Sequence, residues 1–146
     1  MRRNSLGDSG QSAVEFALAF PLILLMAMFG VQLILLLGDK LAIESAAFDA
    51  VRSAAVKFNK DSSDARRTAD SIVADRTRML PIGPGFMRGP VTVKALGISG
   101  DEIQLTAIGT AELLPFVRQG AAALGLNETV TITTTASAKV EPFAGE

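Results

Sequence analysis

Polar and apolar positions divide the chain into successive regimes. The first ten residues, MRRNSLGDSG, are polar, and a long apolar run follows. From Phe16 to Leu37 the chain carries 22 residues without a charge, and Gln32 is the one clearly polar side chain among them. At about 1.5 Å per residue, a helix of that length covers roughly 33 Å, the thickness of a bilayer's hydrocarbon core. This run is a membrane-spanning helix. From Asp39 to about Phe58 the apolar period becomes helical, with Ile43, Ala47, Ala50, Val51, Ala54 and Phe58 on one stripe. Only Gly38 interrupts the join, so one long helix is expected, spanning first and amphipathic afterwards.

Asp61-Ser62-Ser63 supplies a break and a cap signal. A second helix is expected to about Leu80, with Ala65, Ala69, Ile72, Val73 and Met79 or Leu80 on one face. PIGPGFMRGP, Pro81 to Pro90, ends the helical part. Val91, Val93 and Ala95 then alternate with polar neighbours. After Ser99-Gly100-Asp101 so do Ile103, Leu105 and Ala107, which predicts an antiparallel hairpin. Residues 113–126 read equally as a short helical turn or a loop, because Pro115 stops the strand and little periodicity comes after it. A threonine-rich strand closes the chain from Thr129 to Val140, with Val130, Ile132, Thr134, Ala136 and Ala138 on one side. The expected fold class is α+β: a long helix, a second helix and a sheet of about three antiparallel strands. The expected organisation is a leader over 1–10, a transmembrane and assembly helix over 11–38, and an extracytoplasmic head over 39–146.

The upstream edge of the apolar run carries the candidate chemistry. Ser12 and Glu15 have S-x-x-E spacing, which permits a capping box: the Ser12 hydroxyl takes the Glu15 N–H, and the carboxylate reaches back. A cap does not explain why Phe16 follows the acid without a gap. A carboxylate at the rim of a hydrocarbon span is costly and usually has an assigned partner. Gly10 stands five residues upstream of that acid.

The stretch GQSAVEF, followed by ALAFPLILL, resembles the processing site and helix start of type IV pilin-like proteins, and most of all the TadE-like pseudopilins of tight-adherence (Tad/Flp) pilus systems. The resemblance covers Gly10 to roughly Phe29. It implies a cut by a prepilin peptidase between Gly10 and Gln11 on the cytoplasmic side. Glu15 and Phe16 become the fifth and sixth mature residues, and Pro21 stands where family members often have proline. The major pilins of these systems generally have tyrosine after the glutamate and little chain beyond the helix. Phenylalanine and a long head here favour a minor pilin or pseudopilin. The partners implied are prepilin peptidase, other pilins and pseudopilins, inner-membrane platform proteins and, indirectly, an assembly ATPase.

A physical logic accompanies this resemblance. A cut after Gly10 would free an α-amine about 6 Å along the helix axis from Glu15. An amine and a carboxylate near 4 Å attract by about 1 kcal/mol in water and about 4 at an effective dielectric of 20. With helices staggered by one step, the amine of one subunit can meet the glutamate of its neighbour. Pro21 leaves the carbonyl of Ala17 without its helical donor, which predicts either an ordinary kink or a joint used on leaving the bilayer. Arg2 and Arg3 upstream place the N-terminus in the cytoplasm and the head outside it. A secretory signal would have a shorter apolar region and a nearby A-x-A-like site. Here the nearest small-x-small site, Ser45-Ala46-Ala47, lies beyond Asp39, Lys40 and Glu44.

Composition then narrows the chemistry. The chain has neither histidine nor cysteine, so Ser-His-Asp and Cys-His catalysis, imidazole or thiolate metal sites and disulfides are excluded. Its acidic residues lack EF-hand spacing. A net charge of −1 makes no electrostatic case for nucleic acid. Neither an enzyme nor a cofactor is expected, and membrane lipid is the expected surrounding. The alternative function is a permanently anchored envelope binding module, with Ser12 and Glu15 acting only as a cap.

Overall fold

A computed structural model describes residues 6–58, 62–83, 85–99 and 102–140. The chain divides into two compact units, Met1–Ile34 and Leu35–Glu146. Helix α1 runs Leu6–Phe58 and contributes to both. Helix α2 is Ser62–Thr77, followed by strands β1, Thr92–Ser99, and β2, Glu102–Glu112. Helix α3, Pro115–Ala123, and strand β3, Thr129–Lys139, complete the α+β order.

In the first unit, α1 is largely apolar and is exposed on every side over residues 11–29. Leu18 is 75% exposed, Phe16 64% and Leu25 61%, which no packed soluble helix would tolerate. The helix is long and apolar enough to cross a membrane. Pro21 lies inside it. Gln32 is buried.

The second unit holds the core. From Ile43 to Ala55 one face of α1 is buried: Ile43, Ala46, Ala47, Ala50, Val51, Ala54 and Ala55. Alanine at most of these positions lets a second helix approach closely. Ala65, Ala69 and Val73 of α2 are buried in the same cluster. The two helices run antiparallel, as Asp49 with Arg76 at 3.0 Å and Lys57 with Thr68 at 3.1 Å mark their two ends. The side chain of Phe58, expected on the stripe, lies outside the described residues.

Helix α2 ends three residues earlier than the expected Leu80. The Thr77 hydroxyl donates to the Val73 carbonyl at 2.6 Å, and Leu80 N–H closes a turn onto the Thr77 carbonyl at 3.0 Å. Pro81 then disfavours helical geometry at Leu80. Of the two candidates for the end of the stripe, Leu80 packs against the core and Met79 is 92% exposed. The break at Asp61 and the turn at Gly100-Asp101 lie outside the described residues. Ser99 pairs with Glu102, so those two residues are all that separates β1 from β2.

The sheet is an antiparallel meander in the order β1-β2-β3. The β2–β3 register is unbroken from Glu102↔Lys139 to Glu112↔Thr129. Ile103, Leu105, Ala107 and Ala111 of β2, with Ile132 and Ala136 of β3, turn into the core. Strand β1 departs from strict alternation. Val93 pairs with Ala107 but Ala95 pairs with Thr106, so a bulge at Lys94 shifts the register. Leu96 thereby packs against the core opposite Leu105, and Ala95, expected to face inward, is exposed.

The Pro81–Pro90 segment does more than break the helix. Arg88 N–H donates to the Thr110 carbonyl at 2.7 Å, and Glu112 N–H to the Phe86 carbonyl at 2.8 Å. These bonds extend the sheet beside the end of β2 and drive Met87 into the core at 1% exposure. Between β2 and β3 the ambiguous 113–126 stretch is resolved as a helix. Pro115 sits in the first turn of α3. Gly125, at φ +69°, ends the helix in a Schellman arrangement, with Leu126 N–H on the Ala121 carbonyl at 2.8 Å and Gly125 N–H on Ala122 at 3.0 Å.

Candidate functional site

The residues singled out by the sequence lie on consecutive turns of α1. Gly10 and Gln11 are both inside the helix, four residues or more after its start at Leu6. Ser12 is therefore an interior residue of α1 and does not cap it. The expected capping box gives way to a different contact. The Gln11 side-chain amide donates to Glu15 Oε1 at 3.1 Å, an i,i+4 bond along one exposed face.

Phe16 stacks on Phe20, with ring centroids 5.5 Å apart and planes tilted by 32°. Both rings are at least half exposed, and they open the apolar surface immediately after the acid. Pro21 follows one residue after Phe20. Gln11, Glu15 and the Phe16–Phe20 pair are therefore brought together within three helical turns on an exposed stretch of α1. This geometry suits one helix laid against another or against lipid.

One buried acid is absent from the set of candidates that the sequence supplies. Asp39 is 4% exposed on the face of α1 that continues to Ile43, and burial raises its carboxyl pKa above the ordinary 3.8. The chain does carry a signal for it: Asp39 lies four residues before Ile43, on the stripe itself. Among the described residues, no group of acidic side chains is arranged to hold a metal ion. An open polar groove of about 530 Å³ lies between α1 and α2, lined by Asp49, Arg52, Asp75 and Arg76 among others. Its charges are of mixed sign, and Asp49 and Arg76 already engage one another.

Comparison with known proteins agrees with the N-terminal geometry. The sequence signature of the family described as TadE-like protein matches residues 10–52. The match begins at Gly10 and takes in Glu15, the whole apolar run and the buried stripe of α1 as far as Val51. Comparisons with curated proteins and with solved structures return no match.

Proposed function

We propose that this chain is a TadE-like protein of a Tad pilus system, a minor pilin or pseudopilin cut by a prepilin peptidase between Gly10 and Gln11 and used in pilus assembly, a reading that the family match over 10–52 supports. The leader over 1–10 stays in the cytoplasm, the 11–38 helix enters the inner membrane, and the head over 39–146 stands outside. Glu15 and Phe16 mark register between neighbouring helices, and Pro21 supplies the joint. Prepilin peptidase, other pilins, platform proteins and an assembly ATPase are the partners of this reading.

The observation that carries it is the coincidence of two facts at one place. The family match starts at Gly10, and over residues 11–29 α1 exposes its side chains, most of them apolar, on all sides. A permanently soluble helix would aggregate through that surface. Lipid before assembly and sister helices after it each satisfy the same surface, because its side chains need only an apolar surrounding.

The mature N-terminus tests the proposal. Intact mass of the membrane-extracted protein is expected to give a chain that starts at Gln11. Gly10→Val is expected to leave the full-length chain in the membrane, because the added branched side chain blocks the bond from the peptidase. Native material that keeps MRRNSLGDSG, or normal maturation of the Gly10→Val chain, would overturn the assignment and leave an anchored binding module.

A further inference from the structure

We propose that the open edge of β3 is a pairing surface for a second copy of this chain, with the two β3 strands antiparallel across a two-fold axis at Thr134. The inference rests on the sheet alone and does not depend on cutting at Gly10.

Three observations carry it. β3 is the last strand in the order β1-β2-β3, so one row of its backbone N–H and C=O groups has no strand beside it among the described residues. Exposed edges of this kind are usually blocked by proline, a bulge or charges. This strand, TVTITTTASAK, has no proline, an unbroken register with β2, and a single charge at its last residue, Lys139. A long, regular, unguarded edge is suited to accept another strand.

Thr134 identifies the centre. It is buried at 7% exposure, yet its hydroxyl has no hydrogen-bond partner among the described residues. A buried hydroxyl left unpaired costs stability, and such groups are rare in native proteins. An antiparallel second strand centred on Thr134 places the partner's Thr134 directly opposite. With each Thr134 side chain turned about χ1 towards the join, each hydroxyl serves the other as donor or acceptor. The sheet already contains such a contact: Thr106 and Thr135 are register partners on β2 and β3, and their Oγ1 atoms lie 3.5 Å apart.

The rest of the strand selects a second copy as occupant. With Thr134 on the axis, Ile132 faces Ala136 of the partner, and Val130 faces Ala138. Ile132 and Ala136 are buried, while Val130 and Ala138 remain half-buried on the same side. Each pair matches a larger residue with a smaller one, so the apolar face continues across the join. On the outer face, Thr133 of one copy lies opposite Thr135 of the other. No like charges meet, because Lys139 falls opposite Thr129.

The experiment uses the full chain in detergent or in membranes. The natural sequence has no cysteine, so introduced thiols report without background. Thr133→Cys and Thr135→Cys chains, differently tagged, are co-expressed and mildly oxidised. A thiol at position 133 of one copy and one at 135 of the other are directly opposed and fall within disulfide reach, whereas two thiols at the same position are displaced along the strand. The expected result is a mixed disulfide dimer at least fivefold more abundant than either single-variant dimer. Equal yields in all three, or none, would overturn the pairing, and an adduct to a different protein would overturn the second copy as occupant. Thr134→Val keeps the side-chain shape without the hydroxyl. It is expected to lower the mixed product roughly two- to fivefold while leaving the head's thermal unfolding temperature unchanged or raised. An undiminished yield would remove Thr134 from the contact.

Discussion

Asp39 shows how a single side chain can work against the fold that holds it. The buried stripe of α1 needs apolar groups, and Asp39 occupies a place on it with one carboxylate oxygen lacking a hydrogen-bond partner among the described residues. Burial raises its pKa above the ordinary 3.8, so the native head binds a proton more tightly than the unfolded chain does. The sign follows from linkage. As pH rises from the ordinary carboxylate value through the raised native one, the native state holds a proton the unfolded state has lost, and stability falls across that window. Above it the charged carboxylate is a constant cost. Asp39→Asn is expected to be more stable than the natural chain at neutral pH, with the gap closing as pH is lowered towards about 4, the ordinary carboxylate range. Urea unfolding of the full chain in detergent at several pH values measures this. A gap that widens on acidification would contradict it.

Among the elements, what is legible in the sequence depends on whether a regular period carries the information. The alanine stripes of α1 and α2 are legible because burial recurs every third or fourth residue. The inward residues of β2 and β3 are legible because strict alternation survives along both. β1 is legible only as far as Val93, since one extra residue at Lys94 exchanges the faces and nothing in the local composition announces it. α3 is short and ends in a run of alanines, and Gly120 within it and Gly125 just beyond it look alike in the sequence although only Gly125 takes a positive φ. Met87 is hidden for a different reason. It lies inside a proline–glycine segment that reads as loop, and two backbone bonds to the end of β2 are what turn it inward.

The same packing makes a prediction at Gly109 of β2. A Cβ there would collide with the Met87 methyl group and approach Ile43 Cδ1 to 2.9 Å, so α1, the proline–glycine segment and the sheet all close on one glycine. Gly109→Ala should destabilise the head by about 1–3 kcal/mol, the usual cost of an added methyl in a filled core. Gly97→Ala in β1 is the control, because a Cβ there meets nothing within 4 Å. Its effect should stay within about 0.5 kcal/mol, the range of surface changes. Equal effects of the two variants in urea unfolding would show that Gly109 is not a close-packing position.

For the molecule as a whole, composition and the N-terminal motif carry more than geometry. The apolar run and the GQSAVEF stretch point to a membrane helix and to TadE-like proteins, and the family match over 10–52 bears out that resemblance. The S-x-x-E spacing misleads about Ser12, because that spacing alone does not encode the position at which α1 begins. The helix starts at Leu6, and Gln11 takes the place of Ser12 as the partner of Glu15. Proposed cutting after Gly10 would shorten the helix to begin at that glutamine, so the residue that now holds Glu15 by a hydrogen bond would also carry the new positive charge. This separates two roles for Glu15 that one variant cannot. Glu15→Gln keeps a group able to hydrogen-bond Gln11 but loses the charge, whereas Glu15→Ala loses both. If attraction between amine and carboxylate sets helix register, both variants should be cut normally. Both should also enter filaments at least about fivefold less well, since about 1 kcal/mol is the lower limit of that attraction. Quantitative blotting of sheared pili against membranes measures the ratio. Normal incorporation of Glu15→Gln would show that hydrogen bonding, and not charge, is what the position supplies.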